Sequence, residues 1–79
     1  TLSETSAHPR EILRPAIAAA AHSIAIAHNH PSGDPEPSDA DRRFTRRLRE
    51  ACETMSIPLV DHVVIGNGKH FSFREHKML

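Results

Sequence analysis

The chain has 79 residues, enough for one domain or a piece of one. Ten Lys+Arg balance ten Asp+Glu, so no net charge draws it toward nucleic acid or a membrane surface. No apolar run approaches the roughly 20 residues of a membrane span. The first residues carry no secretory-leader pattern, and the single cysteine, Cys52, excludes an internal disulfide and suits the cytoplasm.

In chain order, Thr1 to His8 read as irregular. Pro9 suits a first helical position, and Ile12, Ala16, Ala19 and Ala20 then share a helical face out to His22. Pro15 lies inside that pattern and is expected to kink the helix or confine it to the later segment. Ser23 to His28 read as a short buried strand; Ile24 and Ile26 share a face that His28 and His30 continue at the strand period of two. "NHPSGDPEP" is loop. Ser38 opens a helix, with Asp41 three residues on completing a capping box in which Asp replaces Glu or Gln. Phe44, Leu48, Ala51, Cys52 and Met55 form its apolar stripe, and Pro58 closes it. "IPLVDHVVIG" is a second strand, "GNG" a turn, and "KHFSF" its antiparallel return. "REHKML" reads as a frayed tail. Strand, helix, strand in that order predicts a parallel crossover and an α/β or α+β class with a mixed sheet.

Seven histidines stand against no Trp or Tyr, and position gives them meaning. His28 and His30 point the same way from an extended segment, and Pro31 and Gly33 turn the chain so that the next helix starts nearby. Zinc takes imidazole nitrogen and carboxylate oxygen in a tetrahedral shell, and a catalytic site leaves one position to water. Asp34, Asp39 and Asp41 compete to be the third ligand. On a helical wheel with Phe44 at zero, the apolar stripe covers roughly −20° to +80° and Asp41 falls at about +60°, inside it. A carboxylate there needs a partner. Asp39 falls toward solvent, and Asp34, in the loop, stays open as an alternative. Helix capping by Ser38 and Asp41, with two histidines at a strand end, is the competing structural account.

"HNHPSGDPEPSDAD" resembles the JAMM motif of the JAB1/MPN metalloprotease-like superfamily, His-x-His-Pro-x6-Ser-x2-Asp. From His8 to Glu75 the chain is similar to the C-terminal part of bacterial RadC-like proteins, through "HPRE", "AHNHPSGDPEPS", "LVDHVVIG" and "FSFRE". The resemblance implies zinc as cofactor, His28, His30 and Asp41 as its ligands, and Ser38 as the catalytic residue that stabilises the oxygen on which charge develops. It implies hydrolysis of a peptide or isopeptide bond by a metal-activated water. It implies a three-layer α/β/α fold with a mixed sheet, like that of the cytidine deaminases. The family's general-base Glu lies upstream of His-x-His. Glu4 and Glu11 match other segments, so residues 1–79 are expected to form a single domain, the C-terminal portion of a RadC-like JAB1/MPN domain without its first strands. Glu36, beside the ligands, is a substitute candidate.

Other features bear on partners. Asp61 and His62 are strand neighbours that face opposite sides, so one of them can support a zinc-ligating imidazole. Arg42, Arg46 and Arg49 lie opposite the apolar stripe, a face either simply solvated or able to grip phosphates. DNA repair is the traditional label of RadC-like proteins, and the alternative to a hydrolase is a nucleic-acid-associated binding or interaction module with a structural or vestigial metal. Cys52 reads as core filler. No pattern in the chain specifies an oligomeric state.

Overall fold

Five elements follow one another in the computed structural model, which describes residues 8–79: α1 (Pro9–Ala18), β1 (Ile24–Asn29), α2 (Asp39–Met55), β2 (Leu59–Gly66) and β3 (Lys69–Ser72). The irregular segment expected before His8, with Glu4 in it, lies outside the described residues.

His8 is the cap of α1. Its imidazole accepts from the Arg10 amide at 3.1 Å, and the Glu11 carboxylate accepts from the His8 amide at 3.0 Å. These bonds satisfy donors that a helix start otherwise leaves orphaned. Pro15 sits within α1 rather than confining it to the later segment, and the helix ends one turn after it, at Ala18 and not at His22. Ala20 then turns left-handed with φ +54°. The buried face is Pro9, Leu13 and Ala16, whereas Ala19 and Ala20 are exposed, so the apolar stripe is rotated from the expected one.

The sheet order is β1-β2-β3, with β1 and β2 parallel and β2 and β3 antiparallel. This is the mixed α/β arrangement the element order predicts. Ile26 pairs with His62 and His28 with Val64, so all four share the face that meets α2. The core joins Leu13 of α1 to Phe44, Leu48 and Cys52 of α2, with Ile24, Ile26 and Leu59 packed against it from the sheet. Both helices therefore contribute to one cluster on one sheet face. The second helical layer implied by the resemblance is not among the described residues. β1 is buried on that face alone, and Ala25, Ala27 and Asn29 on the other face are exposed. Within α2, Thr45 replaces Met55 in the buried stripe: Thr45 is buried and Met55 is 44% exposed.

Asn67 and Gly68 link β2 to β3 with φ of +50° and +75°. Positive φ at both central residues is what a two-residue primed hairpin turn requires. The tail is not frayed. The Met78 amide bonds the Phe73 carbonyl at 2.9 Å, the His76 amide bonds the Ser72 carbonyl at 3.2 Å, and the His76 ring stacks on Phe71 with centroids 3.9 Å apart. The stacking partner lies in β3, outside the tail, and "REHKML" has no periodicity of its own to signal the turns.

Candidate metal centre

β1 and the residue just past its end deliver two imidazoles from one face, and the first turn of α2 delivers a carboxylate to meet them. His28 Nε2 lies 3.3 Å from Asp41 Oδ1, and His30 Nε2 lies 2.8 Å from Asp41 Oδ2. His28 and Asp41 are 8% and 6% exposed, so the group sits in a low-dielectric recess open on the His30 side. One donor atom from each of the three residues lies within 4.8 Å of the others, and together they can hold a metal ion. Ligand bonds of about 2 Å to a divalent ion bridge such a span with little side-chain movement. Asp41 thus lies on the buried face of α2, where the wheel places it. Asp39 is exposed, and the Asp34 carboxylate accepts from the Glu36 amide instead.

The bonding of His30 tests the donor set. Its Nδ1 is 2.8 Å from the Asp34 carbonyl, which can only accept, so Nδ1 carries a hydrogen. Its Nε2 is 2.8 Å from Asp41 Oδ2, also an acceptor. Two acceptors at that separation need a proton or a cation between them, and a metal ion fits the requirement.

Asp41 has a second task. Its Oδ2 accepts from the Ser38 amide at 2.8 Å, and Ser38 Oγ accepts from the Asp41 amide at 3.0 Å. This is the expected capping box, with Ser38 as the cap. Burial alone would raise the Asp41 pKa. The Ser38 amide, the His30 ring and the Ser38 hydroxyl outweigh that and hold it below the ordinary 3.8, so the carboxylate is ionised and ready for a cation.

Behind His28 lies His62, whose Nε2 is 2.9 Å from His28 Nδ1. Thr45 Oγ1 is 2.5 Å from His62 Nδ1 and 2.7 Å from the Asp41 carbonyl. Phe73 stacks flat on the His62 ring at 4.7 Å. His62 is fully buried, and desolvation, reinforced by the neighbouring His28, takes its pKa down to about 4. Of the Asp61–His62 pair, His62 is thus the one that reaches the site. Asp61 faces the other way and ties Ser72 Oγ at 2.6 Å and the Arg74 amide at 3.0 Å. Burial opposes its ionisation, but the Ser72 hydroxyl and the Arg74 and His62 amides keep its pKa low.

Gly66 and Thr45 are the residues sequence reasoning missed. A Cβ on Gly66 would meet the Gly33 backbone, so the glycine admits the loop that carries Asp34. The only sequence signal was that Thr45 sits four residues after Asp41, one helical turn along. Two acidic candidates are engaged elsewhere: Glu11 caps α1, and Glu36 pairs with Arg42 at 3.1 Å. Among the described residues, no glutamate joins the His-His-Asp group. Arg42, Arg46 and Arg49 line a shallow depression with Phe73 and Met78, not a fully solvated face. Cys52 is buried in the core, and desolvation raises its thiol pKa.

Comparison with known proteins bears on this geometry. A family model described as RadC-like JAB domain matches residues 1–78. A UPF0758 protein of Chlorobaculum tepidum is 51% identical over all 79 residues, which make up 36% of its length. UPF0758 proteins of Symbiobacterium thermophilum and Rubrobacter xylanophilus are 49% and 52% identical over the same span, 34% of each. The chain spans about a third of the length of these curated relatives. None of its helices is long and apolar enough to cross a membrane among the described residues.

Proposed function

This chain belongs to the RadC-like JAB domain family, and from that premise we propose that it carries the zinc site of a JAMM-type hydrolase that cleaves peptide or isopeptide bonds in the cytoplasm. We take it as the C-terminal portion of the JAB1/MPN domain, the general-base Glu coming from elsewhere in the longer protein. One observation carries the reading: two imidazoles from a strand end and an ionised carboxylate from the next helix converge with their donor atoms within 4.8 Å.

His28, His30 and Asp41 would hold the ion. Zinc, when bound, supplies a Lewis acid and brings the pKa of a water ligand near neutrality. Ser38 acts beside it. Its Oγ accepts the Asp41 amide, which leaves the hydroxyl hydrogen to donate toward an oxygen gaining charge. The start of α2 adds its positive dipole end at the same place.

The test is metal content and peptidase activity of the full-length protein, wild type against His30→Ala and Asp41→Ala. Stoichiometric zinc and activity in the wild type, both lost in the variants, is the expected result. Equal zinc in wild type and His30→Ala removes the ligand assignment.

A second reading, a nucleic-acid-associated module with a structural or vestigial metal, is favoured by the depression shared by Arg42, Arg46 and Arg49. It predicts salt-dependent DNA binding that is lost when those three are replaced.

A further inference from the structure

The chain Asp41–Thr45–His62–His28 has only one consistent distribution of hydrogens. Thr45 has a single hydroxyl hydrogen. The Asp41 carbonyl, 2.7 Å away, can only accept, so that hydrogen goes to it. Thr45 Oγ1 then serves as acceptor toward His62 Nδ1, which must carry a hydrogen. His62 is fully buried between a hydroxyl, another imidazole and the flat face of Phe73, with no carboxylate bonded to its ring. A second proton there would be a buried charge beside another imidazole with no carboxylate bonded to it, which is costly. Its Nε2 is therefore bare and accepts from His28 Nδ1 at 2.9 Å. With a hydrogen fixed on Nδ1, the His28 nitrogen that faces Asp41, and that an ion would meet, is Nε2.

We infer that Thr45 and His62 are positioning residues that lock His28 in the tautomer able to ligate a metal through Nε2. The inference rests on the metal reading of the site and adds two residues outside the motif to it. Without the Thr45 oxygen, His62 can move its hydrogen to Nε2 and donate to His28. His28 would then be protonated at Nε2, the wrong nitrogen for the ion. Phe73 packs flat against the other side of the ring, at an interplanar angle of 2°, and opposes tilting toward another partner.

Two measurements on the full chain test this. Nitrogen-15 spectra of the metal-free protein, taken above the imidazole titration range, should report His28 and His62 both protonated at Nδ1. Zinc affinity by chelator competition should fall by about tenfold or more in Thr45→Val and return in Thr45→Ser, in line with the usual effect of groups that orient metal-ligating histidines. His62→Gln, which keeps a side-chain acceptor, should retain more affinity than His62→Phe. A wild-type His62 protonated at Nε2, or unchanged zinc affinity in a folded Thr45→Val, overturns the inference. Absence of zinc uptake by the wild type overturns the metal reading instead, and the nitrogen spectra still decide the hydrogen relay.

Discussion

Gly66, at the end of β2, lies so close to Gly33 that a Cβ built on it would stand 2.6 Å from the Gly33 carbonyl oxygen and 2.7 Å from its carbon. That contact seats the loop whose Asp34 carbonyl holds the His30 ring. The neighbouring strand bond, His30 amide to Ile65 carbonyl at 2.9 Å, anchors the same corner. Gly66→Ala must therefore push backbone against backbone. We expect a loss of about 1–3 kcal/mol in stability, as for other overpacked sites, together with weakened zinc binding. Denaturant titration and chelator competition on the one variant check both.

Ser38 and Asp41 can be separated by substitution. Ser38→Ala removes the hydroxyl that caps α2 and should cost about 1 kcal/mol in denaturant unfolding. It should leave zinc affinity nearly intact, because the Asp41 carboxylate still accepts the Ser38 amide. Catalytic turnover in the full-length protein should fall if the hydroxyl donates to a developing oxyanion, by up to about 100-fold.

Asp41→Asn has the opposite profile. The amide oxygen can still accept from Ser38, so the helix start survives, but the charge that faces both imidazoles is gone. Zinc affinity should drop by more than tenfold, while the unfolding midpoint should fall only by what the lost charge contributes. A midpoint shift as large as that of Ser38→Ala, with zinc retained, would contradict the assignment of Asp41 as ligand.

Stability of the metal-free chain should fall with acid in two stages. The ordinary imidazole value is 6.5 and that of folded His62 about 4, so between them the unfolded chain binds a proton that the native one refuses. The native state is thus favoured above that window and loses ground as pH falls through it, by roughly 3 kcal/mol at about 1.4 kcal/mol per pH unit. Asp41 and Asp61 have lowered values, so their contribution is present above the ordinary 3.8 and is lost only as pH falls further, through their folded values. Unfolding midpoints measured across the acid range should show both stages, and His62→Phe should lack the first.

Ser56 closes α2 in the left-handed conformation with φ +58°. Glycine is the residue that adopts this geometry without a Cβ clash. Ser56→Gly should therefore raise stability by roughly 1 kcal/mol, with the zinc site unchanged. A thermal melt is sufficient to detect it.

How far the sequence alone reached can be judged residue by residue. His28, His30 and Asp41 were legible because their convergence depends on local geometry: a strand period of two, a turn, and one helical wheel. The capping box was legible for the same reason. Thr45 and Gly66 were not, since each matters through a contact 17 and 33 residues away in sequence, to His62 and Gly33. No periodicity encodes such a distance. The tail was misread because part of its order comes from Asp61 and Phe71, in β2 and β3. His8 was passed over as a cap because its imidazole is an uncommon acceptor at that position.

The shared use of Asp41 has a diagnostic consequence. Since that carboxylate also starts a helix, a relative without an ion would still have a folding reason to keep it. In any distant sequence of this shape, the acid on its own is therefore a poor sign of an ion.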